Sequence, residues 1–173
     1  MDFARVLVLV SHFFGEIDQR FAVIGALGLA AQGHSRATFD VDIVTTGEVQ
    51  AELIAFLESM GYRTEHRSSG YSNHAHSDPE LGRLDVVYLR GESSRAILEG
   101  ATMQDGSGGV RIPVPRPEHL AALKIFAIKN NPLRVLQDLE DVRRILQFPG
   151  VDKAEIEGYF RRYGLEGLLD RIE

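Results

Sequence analysis

The chain has no cysteine. Disulfides and thiolate metal sites are thereby excluded, which fits a cytoplasmic setting. It has no excess of positive charge: 19 Lys and Arg stand against 25 Asp and Glu, a formal net charge of −6. A protein so balanced is not a general polyanion binder, and any contact with RNA needs a local basic patch. Long apolar runs are missing. Val6-Leu7-Val8-Leu9-Val10 is too short to span a bilayer. It also lacks the basic flank and cleavage site of a secretory signal, so no membrane partner is expected. No internal repeat or low-complexity tract interrupts the 173 residues. That length suffices for one domain or a core with a helical appendage. What is present, 44% hydrophobic and 25% charged residues, is the composition of a soluble globular protein.

The chemistry concentrates in Phe21 to Thr45, FAVIGALGLAAQGHSRATFDVDIVT. A short apolar run ends at Gly25, and a small-residue segment to Gln32 follows. This predicts a strand, a tight turn and a helix. Glycine allows close backbone approach to a ligand, and a helix start presents N–H groups suited to phosphate. The second run, Phe39-Asp40-Val41-Asp42-Ile43-Val44, predicts a strand. Alternation places Asp40, Asp42 and Val44 on one face and Phe39, Val41 and Ile43 on the other. Two carboxylates about 7 Å apart at Cα on one face suit a hard cation, and Mg²⁺ favours such carboxylates together with substrate phosphate oxygens. Asp-x-Asp on a half-exposed strand often only faces water. Here aspartate is depleted in strands and the flanks are apolar, which favours a site.

These residues resemble a family. Gly25-Ala26, followed by Gly33-His34-Ser35-Arg36-Ala37-Thr38-Phe39-Asp40-Val41-Asp42, is similar to the signature of the DNA polymerase β-like nucleotidyltransferases. The Gly-x-x-Arg-x-Thr-x-Asp-x-Asp form resembles the branch of abortive-infection toxins of bacterial toxin–antitoxin pairs. One position departs: Ala26 stands where the signature has Gly or Ser, so the N–H donor is kept and a hydroxyl contact to phosphate is absent. The resemblance implies transfer of a nucleoside monophosphate from a nucleoside triphosphate such as ATP to a hydroxyl acceptor, with pyrophosphate leaving. Gly25, Ala26, Arg36, Thr38 and Lys124 are then nucleotide-binding. Asp40 and Asp42 hold Mg²⁺ or Mn²⁺, and Asp85 completes the metal site and helps deprotonate the acceptor. That acceptor is an RNA, a protein or a small molecule, and a toxin–antitoxin partner protein is implied as well. The alternative is a catalytically degenerate member of the fold that binds nucleotide or a partner without chemistry.

The rest of the chain builds the frame. Residues 2–14 read as a helix capped by Asp2, with Phe3, Val6, Leu7, Val10 and Phe13 inward, although the valines also allow a strand. Thr45-Thr46-Gly47 breaks the second strand. A helix follows with Leu53, Ile54, Phe56, Leu57 and Met60 on its apolar face, and Gly61 ends it. Residues 62–66 read as a strand. Residues 67–82 are polar and read as a hairpin or a mobile loop, with His74 and His76 as solvent-facing histidines rather than a metal pair. Asp85 interrupts the apolar run 83–89. It is either a buried Asp bonded to backbone or, by the resemblance, the third carboxylate. Three convergent carboxylates repel one another, and a bound cation relieves that repulsion.

A short helix at 92–99 and a hairpin across 101–114 come next. Pro113, Pro115 and Pro117 mark a boundary. The following helix carries Leu120, Leu123, Phe126 and Ala127 inward. Lys124 on it is either a solvated lysine or, by the resemblance, one facing the cleft. Residues 133–146 form a helix with Leu136, Leu139, Val142 and Ile145-Leu146 as its core face. Its Asp138 and Asp141, one turn apart, read mainly as structural, holding Lys124, Lys129 or Arg134. The expected fold class is α/β (α+β): a small mixed sheet flanked by helices over residues 1–116, and a helical C-terminal region, 117–173, packed on that core.

Overall fold

The structure, a computed structural model, describes residues 1–172 and the side chains of all of these except 92–94. The chain divides into two compact units, Met1–Pro115 and the residues from Arg116 onward.

The first unit opens with α1 (Phe3–Glu16), whose Asp2 cap accepts from the Arg5 N–H at 3.0 Å. Val6, Leu7, Val10 and Phe13 are buried at helical spacing, as the pattern predicts. There follow β1 (Phe21–Val23), α2 (Gly25–Ala31), β2 (Asp40–Thr46), α3 (Gln50–Ser59), β3 (Arg63–Arg67), β4 (Tyr71–Ala75) and β5 (Arg83–Leu89). Five strands make one mixed sheet in the order β1-β2-β5-β4-β3. Only β2 and β5 run parallel; the other pairs are antiparallel. After α4 (Glu92–Glu99), β6 (Thr102–Asp105) and β7 (Arg111–Val114) form a separate hairpin.

Alternation gives the sheet two unlike faces. Val41, Ile43, Leu84, Val86 and Tyr88 are buried on one. Asp40, Asp42 and Asp85, from the same strands, are half-buried on the other. Aromatic stacking ties α1 to its neighbours: Phe13 lies on Phe56 of α3 at 4.6 Å, and Phe14 on Phe21 of β1 at 4.7 Å.

Three local expectations are corrected. Phe39 does not join the buried face: β2 begins at Asp40 and Phe39 is 85% exposed. The strand also continues through Thr46, with the Thr45 hydroxyl bonded to the Arg20 carbonyl at 2.8 Å. The polar segment 67–82 takes its hairpin alternative, with β4 an interior strand, but His74 is fully buried rather than solvent-facing. Its ring nitrogens meet Thr64 Oγ1 at 3.2 Å and Ser72 Oγ at 2.8 Å, and Ser72 also meets the Tyr88 hydroxyl at 2.8 Å. The polar groups satisfy one another, which is what lets a polar sequence line a core.

The second unit contains α5 (Pro117–Asn130), α6 (Val135–Ile145) and α7 (Lys153–Tyr163). Leu120, Leu139, Val142 and Ile145 are buried as expected, but Phe126 and Leu136 are not. Phe126 is 47% and Leu136 74% exposed, while Ile125 and Ile128 are buried. Lys124, Asp138 and Asp141 are buried too. These charged residues share the buried side with the expected apolar residues.

Candidate active site

The site begins at the end of β1. The Ile24 N–H donates to the Asp42 carbonyl at 2.9 Å, and the chain then turns at Gly25 with φ +60°. A Cβ at Gly25 would lie 2.7 Å from Asp42 Cγ and overlap its Oδ2. Only glycine tolerates both the left-handed backbone and this approach. Bonding within α2 starts with the Gly28 N–H to the Ile24 carbonyl at 3.0 Å. The N–H groups of Gly25, Ala26 and Leu27 therefore have no helical acceptor, as at any helix start. The Ala26 methyl is buried, at 2% exposure.

Strand pairing then assembles the carboxylates. The parallel register sets Asp42 beside Asp85 and Asp40 beside Arg83. Pleating turns Asp40 and Asp42 to the same side. One oxygen from each of Asp40, Asp42 and Asp85 lies within 4.8 Å of the others, and all three residues are half-buried. An all-oxygen donor set of this size suits a hard cation such as Mg²⁺ or Mn²⁺ rather than a soft one. The Thr38 hydroxyl donates to the Asp40 carboxylate. Hydrogen bonds of this kind orient ligating groups. Arg36 is half-buried on the loop between α2 and β2, with one guanidinium nitrogen 3.4 Å from the Ala37 carbonyl.

Arg83 turns away from Asp40 to Glu65, at 2.9 Å. On the other side of Asp85, the β4 register places Asn73 directly opposite. Sequence reasoning missed Asn73 because it left β4 open. Thr38, named from the sequence as nucleotide-binding, has the Asp40 carboxylate as its hydroxyl's partner.

Lys124 belongs to the second unit. Its ammonium lies 2.9 Å from Asp138 and 2.7 Å from Asp141, and Asp138 also pairs with Arg134 at 3.1 Å. The solvated-lysine alternative is thereby corrected: Lys124 is 9% exposed. Asp138 and Asp141 hold Lys124 and Arg134, two of the three partners expected of them. The first unit thus brings together Gly25, Ala26, Thr38, Asp40, Asp42 and Asp85, with Arg36 on the adjoining loop.

No family model matches the chain, and no curated protein matches it. Solved structures do. The antibiotic-resistance factor ANT(2'')-Ia aligns over 100% of both chains with a TM-score of 0.70 at 17% identity. A nucleotidyltransferase-like protein from Paracoccidioides brasiliensis covers 99% of this chain and 92% of its own, with a TM-score of 0.57 at 14% identity. The lincosamide antibiotic adenylyltransferase LnuA, lincomycin-bound, covers 83% and 96%, with a TM-score of 0.55 at 16% identity. At these identities the likeness is one of fold: the chain shares the fold of these solved structures.

Proposed function

We propose that the protein transfers a nucleoside monophosphate from a nucleoside triphosphate to a hydroxyl acceptor. The observation that carries this is the register-built triad of Asp40, Asp42 and Asp85 beside the Gly25 turn. Asp40, Asp42 and Asp85 would hold Mg²⁺ or Mn²⁺, which when bound supplies charge neutralisation at the phosphates. The Gly25 turn and the N–H groups after it hold the terminal phosphates, in the manner of other helix starts. Thr38 keeps the Asp40 carboxylate turned toward its neighbours. Arg36 offsets negative charge that develops on the transferred phosphoryl group.

Asp85 takes the proton of the acceptor hydroxyl. The new bond joins the acceptor oxygen to the α-phosphorus, and the bond from that phosphorus to the bridging oxygen breaks, releasing pyrophosphate. ANT(2'')-Ia and LnuA carry names of antibiotic resistance and antibiotic adenylylation. This supports ATP as donor and a small molecule as acceptor, over RNA, protein or a toxin–antitoxin role. The test is incubation with Mg²⁺, each α-labelled nucleoside triphosphate and separate pools of RNA, protein and hydroxylated small molecules. Label should enter one pool with wild type and none with Asp40→Asn or Asp42→Asn. Absence of label from every pool with wild type would count against the reading.

A further inference from the structure

The carboxylate face of the sheet does not end at Asp85. Register extends one row of side chains across four neighbouring strands: Asp42, Asp85, Asn73 and His66. Facing residues in a ladder share a face, so all four project to the same side. Tyr71, two residues before Asn73 on β4, joins them. Its ring stacks on His66 with centroids 4.6 Å apart and planes 13° apart.

The irregularity in β3 makes this stack. Pairing shifts between Thr64 and His66, leaving Glu65 as an extra residue. Thr64 bonds to His74 on the buried side, while the shift returns His66 to the carboxylate side. Glu65 is engaged by Arg63 at 2.7 Å and Arg83 at 2.9 Å. It forms a neutralised rim and leaves the row itself to Asn73. The Asn73 amide is half-buried and enters none of the hydrogen bonds among the described residues. Tyr71 is 47% exposed, so the platform is open.

Strands lie about 4.8 Å apart, which sets His66, two strands over, about 10 Å from Asp85, with Tyr71 between on β4. This is a catalytic carboxylate, an amide with donor and acceptor, and an aromatic surface, in that order. The geometry points to an acceptor lane: a small ring-bearing polyol, of the nucleoside or glycoside kind, presents one hydroxyl to Asp85, is hydrogen-bonded by Asn73, and lays a ring on the His66–Tyr71 pair. Stacking on an exposed aromatic face is tolerant of ring identity. A few placed polar groups then fix orientation. This rests on the nucleotidyl-transfer reading and adds the class of acceptor and the residues that select it.

The chain has no tryptophan, so Tyr71→Trp keeps an aromatic platform and makes it the sole reporter. The variant, loaded with Mg²⁺ and a non-hydrolysable triphosphate analogue, is titrated with adenosine and with lincomycin while indole fluorescence is followed. A saturable change with at least one probe is expected, and the responding probe tells nucleoside from glycoside. Adding Asn73→Ala should weaken that response at least tenfold. Calorimetry with the same probes on wild type and Tyr71→Ala gives a readout without the new indole, and a tenfold loss is expected there. No response to either probe by either method, or responses untouched by Asn73→Ala and Tyr71→Ala, overturns the lane. Mn²⁺ and analogue binding to wild type is measured alongside: its absence defeats the nucleotidyl-transfer reading, whereas its presence without probe binding defeats the lane alone.

Discussion

Gly25 and Asp42 meet so closely that the backbone of the first forms a wall of the second's carboxylate. A Cβ at Gly25 would stand 2.7 Å from Asp42 Cγ and 2.9 Å from its Cβ. The turn after β1 and the carboxylate-bearing strand are therefore one construction. Gly25→Ala should cost about 1–2 kcal/mol for the left-handed backbone alone. It should also swing the Asp42 carboxylate and lower Mn²⁺ affinity at least tenfold. Urea denaturation and paramagnetic titration separate the two effects. Unchanged Mn²⁺ affinity in a folded variant would dissociate the turn from the site.

The triad predicts opposite effects on activity and stability. Asp42→Asn and Asp85→Asn should each reduce transfer by about a thousandfold, roughly 4 kcal/mol. In EDTA the same substitutions relieve like-charge repulsion. Stability should hold or rise by up to about 1 kcal/mol. Loss of stability in EDTA would mean that the carboxylates are structural.

What the sequence made legible followed from periodicity. Alternation in 39–44 and 83–89 foretold the strands that carry Asp40, Asp42 and Asp85, and the glycine signature foretold the turn beside them. Register, which sets Asp42 against Asp85, is a long-range property and was supplied only by the resemblance. Two of the misses share one cause: polar groups that satisfy each other behave like core. His74, Ser72 and Tyr88 bury a strand whose polar composition left hairpin and mobile loop both open. Lys124, Asp138 and Asp141 likewise take buried places on two helices whose Phe126 and Leu136 are left exposed.

Thr38 should act through Asp40. Thr38→Val removes the hydroxyl donor at nearly constant volume, and Mn²⁺ affinity should fall about tenfold, the scale of lost orienting bonds around metal ligands. Thr38→Ser should restore it. Equal affinity in Val and Ser variants would leave the hydroxyl without a role.

Lys124 is the partner of two buried carboxylates, so Lys124→Ala leaves Asp138 and Asp141 without their ammonium. Breaking a buried pair from one side costs about 3–5 kcal/mol. Asp138 keeps Arg134, which favours the lower end. Chemical denaturation checks this. A change below about 0.5 kcal/mol, the range of ordinary surface substitutions, would contradict the structural role, whatever happens to nucleotide binding.

The last expectation concerns acid. Burial lowers the pKa of His74, with Glu58 opposing weakly, and burial followed by the Arg116 charge lowers that of His119, with Glu155 and Glu118 opposing. Both rings are therefore held neutral in the folded protein and protonate more readily once it unfolds. The unfolded state binds more protons, so stability rises with pH across this window. The contribution is complete above the unfolded value, about 6.5. It is lost as pH falls through that value toward the lowered folded-state values. Each histidine contributes at most about 1.4 kcal/mol per pH unit. Unfolding free energies measured in urea from pH 7.5 to 5.5 should decline, and His119→Gln should make the decline shallower. A flat profile, or stability that increases on acidification, would show that these two rings are not held neutral by the fold.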